Sequence, residues 1–198
     1  MVLDFLTHIL RFLMQLNSLV LRWGRNIAWV ALAIMVMVIL LQVFFRYVLN
    51  NALAWPDEAA RFLMLWMTGL MAPSAFRQGA FVAIDMVPQA LPRRPGLMLA
   101  FVLLMLSAMV LLVCIHYGWL HTMGFGGNFD SSSLKVPLDW FGMAVVKVKL
   151  RYMYASLLVG VILLLSVNLE LLMTTIVRLL RPDTVLPADN MVLSREPG

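Results

Sequence analysis

From Leu97 to Ile115 the chain runs LMLAFVLLMLSAMVLLVCI without a charge, and from Ile27 to Phe45 it runs IAWVALAIMVMVILLQVFF with one amide, Gln42. A bilayer core is crossed by about 20 mostly apolar helical residues, and both runs are that long. Two further stretches read the same way with interruptions. One is residues 58–76, EAARFLMLWMTGLMAPSAF; the other is residues 153–177, which contain Asn168 and Glu170. In hydrocarbon each backbone polar group must be satisfied within the structure, so spanning segments are helices or strands of a closed barrel. None of the four runs alternates with period two, which leaves helices. The expectation is an all-α integral membrane protein in one domain, residues 1–198, with spans at 27–49, 56–77, 97–121 and 152–178.

Composition agrees. Hydrophobic residues make up 63% of the 198 and charged residues 13%, against roughly half and a quarter in a soluble domain. The net charge of +5 does not suggest nucleic acid, because the Lys and Arg residues flank apolar runs instead of forming a basic domain. A lone cysteine, Cys114, lies inside an apolar run and rules out an intramolecular disulfide. The first apolar run is too long for a signal-peptide core and no small-residue cleavage site follows it. It is expected to stay as a signal anchor.

Ahead of the first span, Phe5, Ile9, Phe12, Leu16, Leu19 and Trp23 recur at helical spacing, with Asp4, His8, Arg11, Gln15 and Arg22 largely opposite. That pattern predicts an amphipathic helix over 4–25, lying in the membrane interface or against the edge of a partner. Residues 79–91, broken by Gly79, Asp85 and Pro88, read as a short interfacial helix. The stretch from His121 to Trp140 reads as a loop, and residues 182–198 as a tail. With four crossings both termini share a side. Arg11, Arg22, Arg25, Arg77, Arg93, Arg94, Arg178, Arg181 and Arg195 fall on it. Arg46, Arg61, Lys135, Lys147, Lys149 and Arg151 fall opposite. The excess of basic residues places both termini in the cytoplasm.

The second span opens with NALAWPDEAARFLMLW, residues 51–66. Proline in a first turn costs no hydrogen bond, and Asp57 and Glu58 sit at the positive end of the helix dipole. Arg61 lies within one turn of both acids, and Trp55 suits the headgroup level. A helix start at the outer interface accounts for these residues, and a contact surface for another protein uses the same ones.

In order along the chain, QVFFRYVLN closing the first span, WPDEAARFLMLW opening the second and FRQGAFVAIDMV after it resemble the small membrane subunit (DctQ-type) of tripartite ATP-independent periplasmic, or TRAP, transporters. The matching positions are Arg46 and Tyr47, then Trp55, Asp57, Glu58 and Arg61, then Arg77, Gly79 and Asp85. Phe81 stands where that family often has histidine. The resemblance implies a non-catalytic scaffold without a cofactor, paired with a large membrane subunit that carries the organic-acid and sodium sites. It also implies docking of a periplasmic substrate-binding protein. Trp55, Asp57, Glu58 and Arg61 are the docking candidates, and Arg46 and Asp85 the assembly candidates.

The residues themselves also argue against a carrier. The charges near the spans, Arg46, Arg61, Asp85 and Glu170, lie towards span ends, and no span shows the paired polar breaks that build midplane sites. Glu170 either pairs with a basic residue of another helix or subunit, or reaches the interface, or is held protonated. His8, His116 and His121 raise an alternative, the anchor of a respiratory complex with or without haem. His116 and His121 share a helix end, and His8 is expected on the opposite side of the membrane. No zinc-ligand spacing, phosphate loop or nucleophile elbow occurs.

Overall fold

A computed structural model describes residues 2–79, 91–136 and 146–180. Four long helices carry the fold: α1 (Val2–Tyr47), α2 (Trp55–Arg77), α3 (Arg93–Met123) and α4 (Arg151–Leu180). Between α3 and α4 lie a short 3-10 turn, Phe125–Asn128, and an antiparallel hairpin of β1 (Asp130–Val136) and β2 (Val146–Lys149). Three helical segments are long and apolar enough to cross a membrane: Thr7–Tyr47, Arg94–Met123 and Arg151–Leu180. Helix α2 lies outside that set because charge crowds its 23 residues, with Asp57 and Glu58 in the first turn, Arg61 in the second and Arg77 in the last. The expected interfacial segment at 79–91 falls almost wholly outside the described residues, as do Asp85 and the tail.

The first expected helix boundary is absent. Residues 4–25 and the run from Ile27 form one 46-residue helix, about 70 Å long at 1.5 Å per residue. Nothing between them can break it: there is no proline, and Gly24 is buried facing Leu70 of α2. The amphipathic stripe is also turned the other way round. Phe12, Leu16, Leu19 and Trp23 face outward, while Leu10, Met14, Asn17 and Leu21 are buried. Two stripes at helical spacing coexist on this half of α1, and periodicity alone does not say which one packs.

Leu10 and Met14 pack on Val177 and Met173 of α4. Deeper in, Leu21, Phe76, Leu104 and Val167, one from each helix, form the cluster that joins all four. Helices α2 and α4 meet at Gly69 and Gly160. A Cβ on Gly69 would stand 2.5 Å from the Ser156 carbonyl oxygen, and one on Gly160 would stand 2.8 Å from Gly69 Cα. Small residues allow such close approach, and in an apolar solvent this packing is what draws helices together.

The helix ends follow from local chemistry. Asn50 takes φ 48° past the end of α1, and the Asn51 N–H reaches back to the Phe45 carbonyl at 3.0 Å. Asparagine tolerates that left-handed conformation better than other side-chain-bearing residues. Gly79, with φ 73°, does the same for α2.

Candidate functional site

Two polar constellations tie the helices together, one at each end of α2. At its C-terminal end Arg77 meets Glu170 of α4, Nη2 to Oε1 2.7 Å and Nε to Oε1 2.9 Å. The other guanidinium nitrogen donates to Ser18 Oγ at 2.7 Å, and Nη2 also donates to the Met14 carbonyl at 3.2 Å. Asn17 Nδ2 donates to Glu170 Oε2 at 2.7 Å, and Ser166 Oγ donates to Asn17 Oδ1 at 2.7 Å. Beside them Arg25 Nη1 donates to Ser74 Oγ at 3.0 Å. Three helices thus converge on one carboxylate whose side chain is 4% exposed, against 16% for its arginine. Two charges taken out of water lose more than their attraction returns unless the remaining donors and acceptors are also met. Here both carboxylate oxygens and all three guanidinium nitrogens have partners.

At the N-terminal end of α2, Glu58 grips the hairpin. Its Oε2 accepts the Ser133 N–H at 2.7 Å, the Leu134 N–H at 2.9 Å and the Ser133 hydroxyl, while Oε1 accepts the Ser132 N–H at 3.2 Å. The strand register explains how three consecutive amides are free to do this. Asp130 pairs with Lys149 and Lys135 with Lys147, so β1 advances five positions while β2 advances two. The surplus residues bulge out of the ladder, and their N–H groups form a small anion-binding concavity filled by the carboxylate. Ser131, almost fully buried, caps the Leu134 N–H from below at 3.0 Å. Arg151, at the start of α4, donates to Asn128 Oδ1 at 2.6 Å and fixes the other end of the loop.

The sequence candidates fall out as follows. Glu58 and Glu170 are both engaged inside the chain. Trp55, 40% exposed, borders an apolar groove of about 300 Å³ with Ala33, Ile34, Met37, Val38 and Leu41 of α1. Asp57 and Arg61 are exposed. Arg46, in the last turn of α1, lies over the Tyr47 ring with 5.8 Å to its centroid. Asn17, Ser18 and Ser166 are hydrogen-bond partners in the Arg77–Glu170 network that periodicity does not single out. Asn17 had a signal, a polar residue spaced in phase with Leu10, Met14 and Leu21, but it shows only once that stripe is known to be buried. Ser131 to Leu134 gave none, because their role depends on a bulge. His116 and His121 are exposed on α3, edge-on to the rings of Tyr117 and Tyr154, and His8 is exposed on α1. Among the described residues no three His, Cys, Asp or Glu side chains gather to hold a metal.

A bundle of long apolar helices, tied together by buried polar pairs and carrying a small hairpin at one end, defines a multi-pass membrane protein. The model of the tripartite ATP-independent periplasmic transporter DctQ component matches residues 35–178, and the chain belongs to that family. It is similar to a TRAP transporter small permease protein of Haemophilus influenzae, with 24% identity over 132 residues, which cover 66% of this chain and 82% of that one.

Proposed function

We propose that the chain is the non-transporting scaffold subunit of a TRAP-type importer for an organic acid, coupled to sodium through sites on a large partner subunit, with a periplasmic binding protein as its third component. Residence in a bacterial inner membrane, both termini cytoplasmic, and four crossings belong to the same reading. What favours a fourth crossing is that α2 packs between α1 and α4, with Gly24 against Leu70 on one side and Gly69 against Gly160 on the other. Its 23 residues span about 35 Å.

The observation that carries the scaffold role is where the buried charge goes. Arg77 and Glu170 satisfy each other and the side chains around them, so this buried pair is taken up in helix packing. The groove beside Trp55 is lined by apolar side chains. A carrier needs polar groups that bind in one state and release in another. Here the polar groups serve assembly. Outward-facing Asp57 is left for contact with another subunit, whereas Glu58 is already occupied by the hairpin.

Reconstitution tests the reading. Vesicles with this chain alone should show no saturable organic-acid flux. Adding the large subunit and the binding protein should give sodium-dependent uptake. Saturable flux through the chain alone would refute it.

A further inference from the structure

The outward faces of the helices differ in kind. Helix α1 turns Trp29, Val30, Met37 and Leu40 away from the bundle, and α3 turns Val102, Met105, Met109 and Val113. Those faces suit hydrocarbon. Along α2 the exposed positions are Trp55, Asp57, Arg61, Met64, Leu65 and Thr68, of which Asp57, Arg61, Met64 and Thr68 are spaced i, i+4, i+7 and i+11 on one side of the helix. The opposite side is taken, since Leu70 packs at Gly24 of α1 and Gly69 at Gly160 of α4.

Arg61 stands six residues into α2, about 9 Å below Trp55 along the axis. The nearby acids do not neutralise it. Glu58 is held by the hairpin, and among the described residues neither Asp57 nor Arg61 forms an ion pair. A charge facing lipid inside a span is costly, and such residues turn towards a partner or a polar cavity.

We infer that this face of α2 receives a membrane-spanning helix of a second polypeptide, one that sets an Asp or Glu carboxylate against Arg61 and a basic or amide donor one turn higher against Asp57. The argument is charge complementarity: an acid above a base on α2 selects a helix with the opposite order. The inference rests on the scaffold reading, and names the surface and the chemistry by which the large subunit is held.

The test uses the co-expressed pair in detergent, with Arg61→Glu, Met64→Trp and, as a control on the lipid-type face, Val113→Trp. Arg61 is exposed, so thermal unfolding of each variant chain should match that of the unmutated chain. Recovery of the large subunit on the tagged small one should fall at least tenfold for Arg61→Glu and Met64→Trp and stay unchanged for Val113→Trp. Reversing the facing carboxylate to Lys should restore the Arg61→Glu pair. Undiminished recovery with both α2 variants would overturn the inference and leave Arg61 as a residue that snorkels to lipid phosphate. If the unmutated chain retains no large subunit at all, the scaffold reading fails, and the inference falls with it.

Discussion

Glu170 and Glu58 are the two carboxylates that hold the chain together, at opposite ends of α2, and they are satisfied by different kinds of donor. Glu170 lies inside α4, surrounded by helices whose backbone N–H groups are already committed to their own turns. Only side chains can reach it, so a guanidinium, an amide and the hydroxyls around them gather there. Glu58 faces a strand whose bulge has released its backbone amides, and three of those serve in place of a cation. Among packed helices a buried charge therefore needs a side-chain partner from another helix, which fixes helix positions. Next to an irregular loop it can use backbone donors, which fixes the loop instead.

The comparison predicts effects of unequal reach. Glu170→Gln keeps the shape but leaves the partly buried Arg77 without its counter-charge. Breaking one side of a buried pair costs about 3–5 kcal/mol, so the whole bundle should lose stability in detergent, read as a large fall in the midpoint of thermal unfolding. Arg77→Met together with Glu170→Leu should recover most of that loss, because replacing both charges by apolar groups is often neutral. If the double variant is as unstable as Glu170→Gln, the network is more than a neutralised pair.

Glu58→Ala should act locally. Freed of their charged acceptor, the partly buried Ser133 and Leu134 amides lose bonds of a kind worth about 1.5–3 kcal/mol, and the exposed Ser132 amide loses less. Hydrogen exchange at those amides should quicken about tenfold or more, since each 1.4 kcal/mol is a factor of ten. Exchange in the middle of α4 should not change. A bundle-wide rise would mean that the hairpin braces the helices and is not merely held by them.

Much of the helix layout is legible in the sequence, and what is not is physically instructive. Apolar runs located the helices because a lipid solvent demands little else of a spanning segment. The side chains that position the helices were harder. In Phe5, Ile9, Phe12, Leu16, Leu19 and Trp23 the sequence displays the more hydrophobic stripe of α1, yet Leu10, Met14, Asn17 and Leu21 form the packed one. In water the greasier stripe would go inward. In a membrane protein it can face lipid, and the stripe carrying polar groups goes inward to find partners. The same inversion hides the Arg77–Glu170 pair, whose members are 93 residues apart and sit on two helices that approach closely at Gly69 and Gly160. The hairpin was missed because Gly and Ser content signals a turn without revealing a bulge.

The smallest expected effect is the sharpest test of where the network at the C-terminal end of α2 stops. Ser74 is buried and its hydroxyl accepts from Arg25 Nη1 at 3.0 Å, but Arg25 itself is only partly buried. If that bond belongs to the same cooperative unit as Glu170, Ser74→Ala should cost well over the ordinary value for one hydrogen bond. If Arg25 instead turns to water or headgroups once released, the cost should stay near 1 kcal/mol. The second outcome is expected, because no hydrogen bond links Arg25 or Ser74 to Glu170 or its partners among the described residues. The measurement is a double-mutant cycle of Ser74→Ala with Glu170→Gln in detergent unfolding. Additivity within about 0.5 kcal/mol marks independent sites and confines the network to Asn17, Ser18, Arg77, Ser166 and Glu170, whereas a larger coupling energy would extend it to Arg25.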